Sequence, residues 1–262
     1  MRAIESHPRA ELAAVVRRPP SEPSLESVLA DPGVSGLIVC TPNALHVSQV
    51  EAGLRAGKHV AVEFPLAGSE REARGLFECA REQRRVLHVE HIELLSPSQL
   101  QLRAAARGLG PPAGGQLRFR GDFGGWIGDD ALAGGPGLRA LARLHRLVDL
   151  FGRAVVASAR CEQRAGGGYR LEVGLRFARG SLELVEERGP GCGRALEWDV
   201  WCQGGRLAPP LPEPAAGLFA QDLELFLARI EGSALAPVSE ERELHVHALV
   251  DAIDRGWVCS LA

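Results

Sequence analysis

The sequence has few of the groups on which several kinds of chemistry depend. Lys58 is its only lysine, so the N-terminus is the one other amine that could act as a base or form a Schiff base. The six cysteines form no C-x-x-C pair, which argues against a zinc knuckle and against a dense disulfide framework. They are Cys40, Cys79, Cys161, Cys192, Cys202 and Cys259.

An excess of one charge and long apolar runs are also missing. Thirty basic residues stand against 33 acidic residues, a net charge of −3, so the chain shows no electrostatic footprint for nucleic acid or a membrane surface. No apolar run reaches the roughly 18 residues of a membrane span, and the first residues lack the layout of a signal peptide. We expect a cytoplasmic protein with reduced cysteines, a monomer or a homo-oligomer, that binds neither nucleic acid nor membranes.

The first part of the chain alternates apolar strands with amphipathic helices. Strands are predicted at 12–16, 34–40, 59–63 and 85–89, and helices at 44–56 and 69–83. Asn43 is placed to cap the first helix, and Ser69 with Glu72 is typical of a capping box at the second. This rhythm predicts a parallel sheet with helices on its faces.

The pattern changes near residues 95–98. Helices are predicted at 98–107, 138–151, 218–231 and 238–256, and strands at 116–123, 154–164, 169–178, 181–187 and 194–203. Short turns between neighbouring strands favour an antiparallel sheet. In the strand at 169–178 apolar and charged side chains alternate, so one face meets a core and the other meets water or a ligand. The apolar set is Leu171, Val173, Leu175 and Phe177, and the charged set is Arg170, Glu172 and Arg176.

Two domains follow from these patterns. Residues 1–96 are predicted to form an α/β domain with a parallel sheet, and residues 97–262 an α+β domain with a large open antiparallel sheet. Clefts between such domains are common ligand sites.

The parallel domain begins late for a dinucleotide-binding unit. Such a unit starts with a strand and a G-x-G-x-x-G turn that opens a helix, and neither precedes the strand at 12–16. We therefore expect an N-terminally truncated Rossmann-like sheet without the amides that cradle a pyrophosphate. Either the cradle has been lost, or the natural start lies roughly 20–30 residues earlier, which we favour for the gene. Cofactor affinity of the chain as it stands is expected to be poor.

Five stretches of the sequence are similar to motifs of known proteins. Cys40-Thr-Pro-Asn-Ala-Leu-His46 and Gly57-Lys-His-Val-Ala-Val-Glu-Phe-Pro65 resemble T-P-N-x-x-H and G-K-H-V-x-x-E-K-P of the glucose-fructose oxidoreductase/inositol dehydrogenase superfamily. Val86-Leu-His-Val-Glu-His-Ile-Glu-Leu-Leu95 resembles V-L-H-E-E-H-V-E-L-L of the biliverdin reductase family, which also replaces the superfamily's lysine with an aromatic residue. The run from Arg143 to Gly152 and the turn from Glu186 to Gly191 resemble that family's R-L-x-W-L-V-x-L-F-G and E-E-K-G-P-G.

The resemblance implies a reaction and a cofactor. Biliverdin reductases transfer hydride from NADPH or NADH to the central methine of a linear tetrapyrrole. The cofactor lies in the parallel domain, and the bilin lies between it and the open face of the second sheet. On this resemblance the cofactor-binding candidates are Arg17, Arg18, Cys40, Thr41, Pro42, Asn43, His46 and Glu63. An Arg17-Arg18 pair after the second strand suits a 2′-phosphate and hence NADPH, and amides at the helix start near Asn43 can meet an anion.

The resemblance also implies catalytic and substrate-binding residues. Glu63 and Phe64 would lie beside the nicotinamide, and Phe64 can pack against a flat ring but has no exchangeable proton. Glu90, His91 and Glu93 could hold a protonated network or contact a pyrrole. No metal site is expected with His88, because strand alternation places His88 and Glu90 on one face and His91 and Glu93 on the other.

Arginines of the helix at 138–151 are candidates for the bilin's two propionates. Arg143 matches an arginine that the family places near the bilin, and guanidinium binds carboxylates in bidentate fashion. Arg139 and Arg146 lie on neighbouring faces of the same helix. The alternative is that these three side chains form a solvated basic face.

Three functions remain open on the sequence. The first is an NAD(P)H-dependent bilin reductase. The second is a non-catalytic bilin-binding or regulatory protein, which Phe64 and the lack of a glycine-rich loop would favour. The third is another oxidoreductase of the superfamily, which the absence of its lysine and of its histidine–aspartate pair disfavours.

Overall fold

A computed structural model describes residues 2–17, 23–164, 167–208, 217–256 and 259–261. Its helices are α1 (Arg2–Glu5), α2 (Leu25–Ala30), α3 (His46–Arg55), α4 (Glu70–Gln83), α5 (Ile92–Leu95), α6 (Pro97–Leu109), α7 (Asp130–Ala133), α8 (Pro136–Arg139), α9 (Leu141–Phe151), α10 (Leu218–Ile230) and α11 (Glu240–Gly256). Two 3-10 helices span Asn43–Leu45 and Gly125–Gly128. Its strands are β1 (Gly36–Val39), β2 (His59–Val62), β3 (Leu87–Val89), β4 (Pro112–Asp122), β5 (Ala154–Gln163), β6 (Tyr169–Phe177), β7 (Ser181–Gly189), β8 (Ala195–Cys202), β9 (Gly205–Leu207) and β10 (Cys259–Leu261).

The first three strands form the predicted parallel sheet, in the order β1-β2-β3. Residues of α3 and α4 bury their apolar faces against these strands, with Val50, Leu54 and Leu76 in the same core as Val60. Leu223 and Phe226 of α10 pack with Ala61 in a separate small cluster. The sheet is therefore part of a three-layer arrangement, although α10 comes more than 120 residues later in the chain. The division at residue 96 remains a prediction.

Two helix starts show how local sequence and tertiary contacts compete. Ser69 caps α4 as predicted, because its hydroxyl accepts the Glu72 N–H at 3.3 Å. The prediction that Asn43 caps the next helix is wrong, because α3 begins only at His46 and has no side-chain cap. The Asn43 amide donates instead to the main-chain oxygen of Ala133 at 2.8 Å. It thereby ties the end of β1 to α7 in the second half of the chain.

The strand predicted at 12–16 is also wrong, since these residues have irregular structure. Its apolar side chains are only partly buried. A strand needs a neighbour to satisfy its main-chain N–H and C=O groups, and the described part of the chain places no strand beside this segment.

The second sheet has seven strands in the order β10-β5-β6-β7-β4-β8-β9. Four pairs are antiparallel, but β4 pairs with β7 and β10 pairs with β5 in parallel. The predicted antiparallel sheet is therefore a mixed sheet. A 3-10 helix and the helices α7, α8 and α9 lie between β4 and β5 in the chain. In the sheet, β4 lies between β7 and β8 and not beside β5.

One face of this sheet forms the main core. Leu171, Val173, Leu175 and Phe177 are all buried, as their alternation predicts. They pack with leucines of α9 and with apolar side chains of α11. On the opposite face Arg170 pairs with Glu172 and Glu187. Within the described residues, no helix is both long and apolar enough to cross a membrane.

We expect Gly180→Ala to destabilise the protein. Gly180 lies in the turn between β6 and β7 with φ of +90°, and an added Cβ would lie 1.6 Å from the main-chain oxygen of Pro112. Left-handed backbone and this clash should together lower the free energy of unfolding by about 2 kcal/mol or more. Urea unfolding followed by circular dichroism measures it.

Gly75→Ala is the matched control. Gly75 lies on the exposed side of α4 with open space around its Cα, so alanine should raise the free energy of unfolding by about 0.5–1 kcal/mol. Equal effects of the two substitutions would contradict the turn geometry.

Candidate functional site

The carboxyl ends of the three parallel strands bring the predicted site residues together. Cys40 and Thr41 follow β1, Glu63 and Phe64 follow β2, and Glu90 follows β3. Open α/β sheets bind their ligands at this edge. The parallel pairing of β1 with β2 and of β2 with β3 therefore explains why residues 23 to 50 positions apart lie side by side.

A cavity of about 530 Å³ opens at this edge, between the sheet and α10. Glu63, Glu90 and Cys40 line its polar side. Its apolar walls are formed by Ile38 and Ala61 from the sheet and by Leu223 and Phe226 from α10, among others. Three residues with carboxyl groups, Glu63, Glu90 and Asp222, thus line a cavity whose walls are otherwise largely apolar.

Glu90 is the most perturbed of these groups. Its side chain is buried, with 7% of the residue exposed, and burial raises its pKa to about 7. The main-chain N–H of Ile92 donates to its carboxylate at 2.6 Å and opposes the rise, whereas the charge of Asp222 adds to it. A carboxyl group with such a pKa can hold a proton at neutral pH and deliver it.

His46 connects the two loops that flank this edge. Its Nδ1 lies 2.7 Å from the main-chain oxygen of Pro65, and its Nε2 lies 2.8 Å from that of Thr41. The residue is buried, so it is placed to position both loops. The Thr41 hydroxyl donates to Gln49 on α3 at 2.8 Å, which fixes the same loop from the other side.

The residues at this edge fit the nicotinamide part of a dinucleotide. Neither the 3-10 helix Asn43–Leu45 nor α3 has a side-chain cap. The Leu45 and His46 amides already donate to main-chain oxygens, so it is the first amides of this helix start that could meet a polar group. The apolar walls of the cavity suit a flat ring. A G-x-G-x-x-G cradle for the pyrophosphate is not present in this sequence. Arg17 is exposed in an irregular segment, and Arg18 lies outside the described residues, so the preference for NADPH stays a prediction.

Phe64 and His91 point away from this cavity, toward the second sheet. Phe64 packs against the cores of both halves of the chain, and its ring is stacked on that of His91 with 6.2 Å between centroids. His91 Nε2 lies 2.7 Å from a Glu243 carboxylate oxygen on α11. Both rings therefore lie at the junction of the two sheets.

Glu93 lies at the outer side of the same junction. Arg194, which is largely exposed, donates to its carboxylate at 2.9 Å. The guanidinium of Arg194 also lies over the ring of Phe119. Sequence reasoning missed Arg194, although it lies three residues after the G-P-G turn.

The three arginines proposed for the propionates are buried and already paired. Arg139 donates to Asp130 at 2.7 Å, Arg143 to Glu186 at 2.6 Å, and Arg146 to Gln99 at 2.9 Å. They are not a solvated basic face, so that alternative is wrong. Nor does any of them turn its guanidinium to an open surface, which contradicts a direct grip on propionates in this conformation.

Glu186 is the centre of the network that holds Arg143. It is fully buried and also accepts from Arg188 at 2.7 Å and from the Tyr169 hydroxyl at 3.0 Å. Burial alone would raise its pKa, but Arg143 and Arg188 outweigh this and hold the pKa below its ordinary value. Burial, followed by the nearby Glu186 charge, raises the pKa of Tyr169. Sequence reasoning used Glu186 only as the first residue of a motif and gave it and Tyr169 no role, because only β-sheet register brings them beneath α9.

Known proteins match both halves of the chain. Residues 3–91 match the model of an oxidoreductase family with an NAD-binding Rossmann fold, and residues 113–215 match that of the biliverdin reductase catalytic domain. Biliverdin reductase A of Mus musculus is 32% identical over 240 residues, which are 90% of this chain and 80% of that protein. The Homo sapiens protein is 30% identical over 244 residues, with the same shares.

Solved structures show the same fold. Biliverdin reductase from Synechocystis sp. PCC 6803, in complex with biliverdin and NADP+, has a TM-score of 0.74 at 24% identity over 90% of this chain and 83% of that chain. A putative myo-inositol dehydrogenase from Sinorhizobium meliloti 1021 has a TM-score of 0.81 at 20% identity over 97% of this chain and 92% of that chain. A parallel sheet followed by a larger mixed sheet is therefore the architecture of this group.

Glu90→Gln should stabilise the protein, and more so at alkaline pH. The unfolded chain releases this proton near pH 4.5 but the folded protein only near pH 7, so stability is lost as pH rises through this range. Glutamine removes that loss and can still accept the Ile92 N–H. We expect its gain in the free energy of unfolding to be about 2–3 kcal/mol larger at pH 8 than at pH 5. Urea unfolding at both values measures it, and an equal gain would show that Glu90 is not protonated by burial.

Arg143→Met should be strongly destabilising. The substitution leaves the buried Glu186 carboxylate with one guanidinium in place of two, which should cost about 3–5 kcal/mol. Arg120→Met is the control, because Arg120 pairs with Glu197 on the exposed sheet face and such pairs contribute about 0–1 kcal/mol. Chemical unfolding at pH 7 compares them, and similar losses would mean that the Glu186 network is not a buried charge pair.

Proposed function

The chain belongs to the biliverdin reductase family of NAD(P)H-dependent oxidoreductases, and on that premise we propose that it reduces a linear tetrapyrrole, biliverdin to bilirubin. The observation that carries this proposal is the buried Glu90 at the carboxyl edge of the parallel sheet, beside Glu63 and a largely apolar cavity, where burial raises its pKa to about 7. The relatives named biliverdin reductase A support the substrate.

The reduction needs a hydride and a proton. When bound, NAD(P)H would supply the hydride for the central methine carbon, with one C–H bond broken on the cofactor for the one formed on the bilin. The electron pair displaced from the conjugated system moves to a pyrrole nitrogen, which must take up one proton. The protein's task is to hold the two rings in contact and to provide that proton.

Glu90 is proposed as the source of this proton. Phe64 stands where the superfamily has a lysine, and a phenyl ring has no proton to give. The Glu90 carboxyl is protonated below pH of about 7 and lies on the cavity wall with Glu63. A bilin that extends from the junction to the mouth of this cavity can take the proton directly or through one water.

The remaining residues are proposed to bind and position. Thr41, Pro42 and Asn43 form the uncapped helix start at which the cofactor's polar groups can bind, and His46 holds that loop against Pro65. Phe64 forms an apolar wall at the junction of the sheets. Arg194 is the exposed guanidinium there, so we propose it, in place of the buried Arg143, as a partner for a propionate.

A non-catalytic bilin-binding protein is the second candidate, and Phe64 is the observation that favours it. The two functions separate in one assay, in which biliverdin is mixed with NADPH, and in parallel with NADH, at up to millimolar cofactor. Conversion of the biliverdin absorbance to that of bilirubin supports the reductase. A shift of the bilin spectrum without turnover supports the binding protein, and no response to bilin points to another oxidoreductase of the superfamily.

We expect Glu90→Gln to lower kcat for biliverdin about 100-fold, because general acid catalysis contributes factors of this size. The activity of the unsubstituted protein should fall as pH rises above about 7, where Glu90 loses its proton, and the variant should lose this dependence. Steady-state kinetics from pH 6 to pH 9 measure both.

Glu82→Gln, on the exposed end of α4, is the control and should retain kcat and its pH profile. An unchanged pH profile in Glu90→Gln would exclude Glu90 as the proton source.

A further inference from the structure

A second group of titratable side chains lies buried behind Phe64, and the proposed reduction uses none of them as an acid. It consists of His91 after β3, His145 on α9, and Glu243 and His247 on α11. All four are buried, with no more than 3% of any residue exposed. This group is named the histidine cluster below.

Three atoms of the histidine cluster converge on one point. His91 Nε2 lies 2.7 Å and His145 Nε2 lies 3.5 Å from the same Glu243 carboxylate oxygen. The His91 and His145 ring centroids are 4.3 Å apart. One ligand atom each from His91, His145 and Glu243 can be chosen so that all lie within 4.8 Å of one another.

Several polar atoms of the histidine cluster have no hydrogen-bond partner in the described part of the chain. Both ring nitrogens of His145, Glu243 Oε1 and His247 Nε2 are buried and have no hydrogen-bond partner among the described residues. Buried polar atoms normally have a partner, and each exception asks for an explanation. Here the unpartnered His145 ring is itself turned toward the Glu243 carboxylate.

We propose that His91, His145 and Glu243 bind a divalent metal ion, with Zn²⁺ as the best match. Two imidazoles and one carboxylate are a known Zn²⁺ ligand set, which leaves a fourth position for water. Zn–N and Zn–O bonds of about 2.0–2.2 Å place tetrahedral ligands roughly 3.3–3.5 Å apart. The observed spacings bracket this value, so side-chain shifts of about 1 Å or less complete the site.

The ligands join three parts of the fold. His91 follows the parallel sheet, whereas His145 and Glu243 lie on helices that cover the mixed sheet. His247 Nδ1 lies 3.0 Å from the main-chain oxygen of Glu243, one helical turn earlier, and its ring is next to the carboxylate. The metal would therefore fix the junction of the two sheets, with His247 as an outer neighbour that orients Glu243.

The sequence predicted no metal here because only the run of residues from His88 to Glu93 was considered. The structure does separate that run, because His88 faces Asp222 on α10 at 3.0 Å while His91 faces α11. The additional ligands come from residues more than 50 positions away, which the local pattern could not reveal.

A surface cavity reaches the helix that carries Glu243. A second cavity, of about 290 Å³, has Glu243 among its lining residues. Arg81, Arg84 and Arg85 also line this cavity and are exposed, and their positive charge opposes the approach of a cation. We therefore expect slow uptake by the folded protein and efficient uptake when the protein folds in the presence of the ion.

The test uses full-length, tag-free protein, refolded from urea after chelation, with and without a small excess of ZnCl₂. After desalting, mass spectrometry of the metal content should find one zinc per chain, and the melting temperature should rise by several degrees. Refolding with CoCl₂ should give the intense visible absorption of tetrahedral Co²⁺. Less than about one metal per ten chains would overturn the proposal, because ligands this buried should hold the ion through desalting.

Variants decide whether the histidine cluster is the site. His145→Gln and Glu243→Gln should lose the bound metal, whereas His245→Gln, on the same helix but bonded to the main-chain N–H of Ala154, should keep it. His145→Cys should retain Co²⁺ and add a near-ultraviolet thiolate-to-cobalt band absent from the parent protein. This gained band decides the matter even where a glutamine variant fails to fold. Retention of metal by both glutamine variants, or no such band, would overturn the assignment whatever the outcome of the bilin assay.

Discussion

Most of the charge buried near the meeting of the two sheets is neutralised by pairs inside the protein, and these pairs help to fix how α9 and α11 lie there. Arg143 finds Glu186 beneath it, Asp149 accepts from Arg103 and Arg242, and His91 faces Glu243. Each pair joins a helix to a different element. An ion left alone in such a place costs several kcal/mol, so the pairs restrict the register of α9 in addition to the packing of its fully buried leucines.

The same low-polarity surroundings produce the chemistry at the neighbouring strand ends. The main-chain N–H of Ile92 and the neighbouring His91 compensate the burial of Glu90 only in part, so its pKa rises. Glu186 is more deeply buried, yet two guanidinium groups reverse the shift. Burial therefore does not decide by itself in which direction the pKa of either group shifts. The number and sign of the partners decide it, which separates a carboxyl that can give a proton from one that holds the fold together.

Sequence periodicity predicted most elements because it reports burial, and burial of one face is what helices and strands share. The buried residues Leu171, Val173, Leu175 and Phe177 show this for β6. The start of α4 was predicted by a different signal, the capping residue Ser69 followed by Glu72. Periodicity does not report the neighbour of a strand, so the parallel pairing of β4 with β7 and the irregular path of residues 12–16 were not predictable. At the site, the motif residues at the strand ends were found because parallel strands share an edge. The partners of Asn43, Arg143 and His91 were not, since each lies 40 or more positions away.

Replacing the superfamily's lysine with Phe64 changes more than one proton donor. A lysine at this junction would bring a charge next to His91 and would need a carboxylate of its own, and Glu243 is the one that His91 now faces. With a phenyl ring there, the ring can stack on His91 and pack against both cores, and Glu243 is left to the imidazoles. Under the proposed function the acid is then Glu90, whose carboxyl group lines the cavity at the same sheet edge. On that proposal an aromatic residue at position 64 is compatible with a reductase, because a carboxyl group with its own raised pKa lies at this edge.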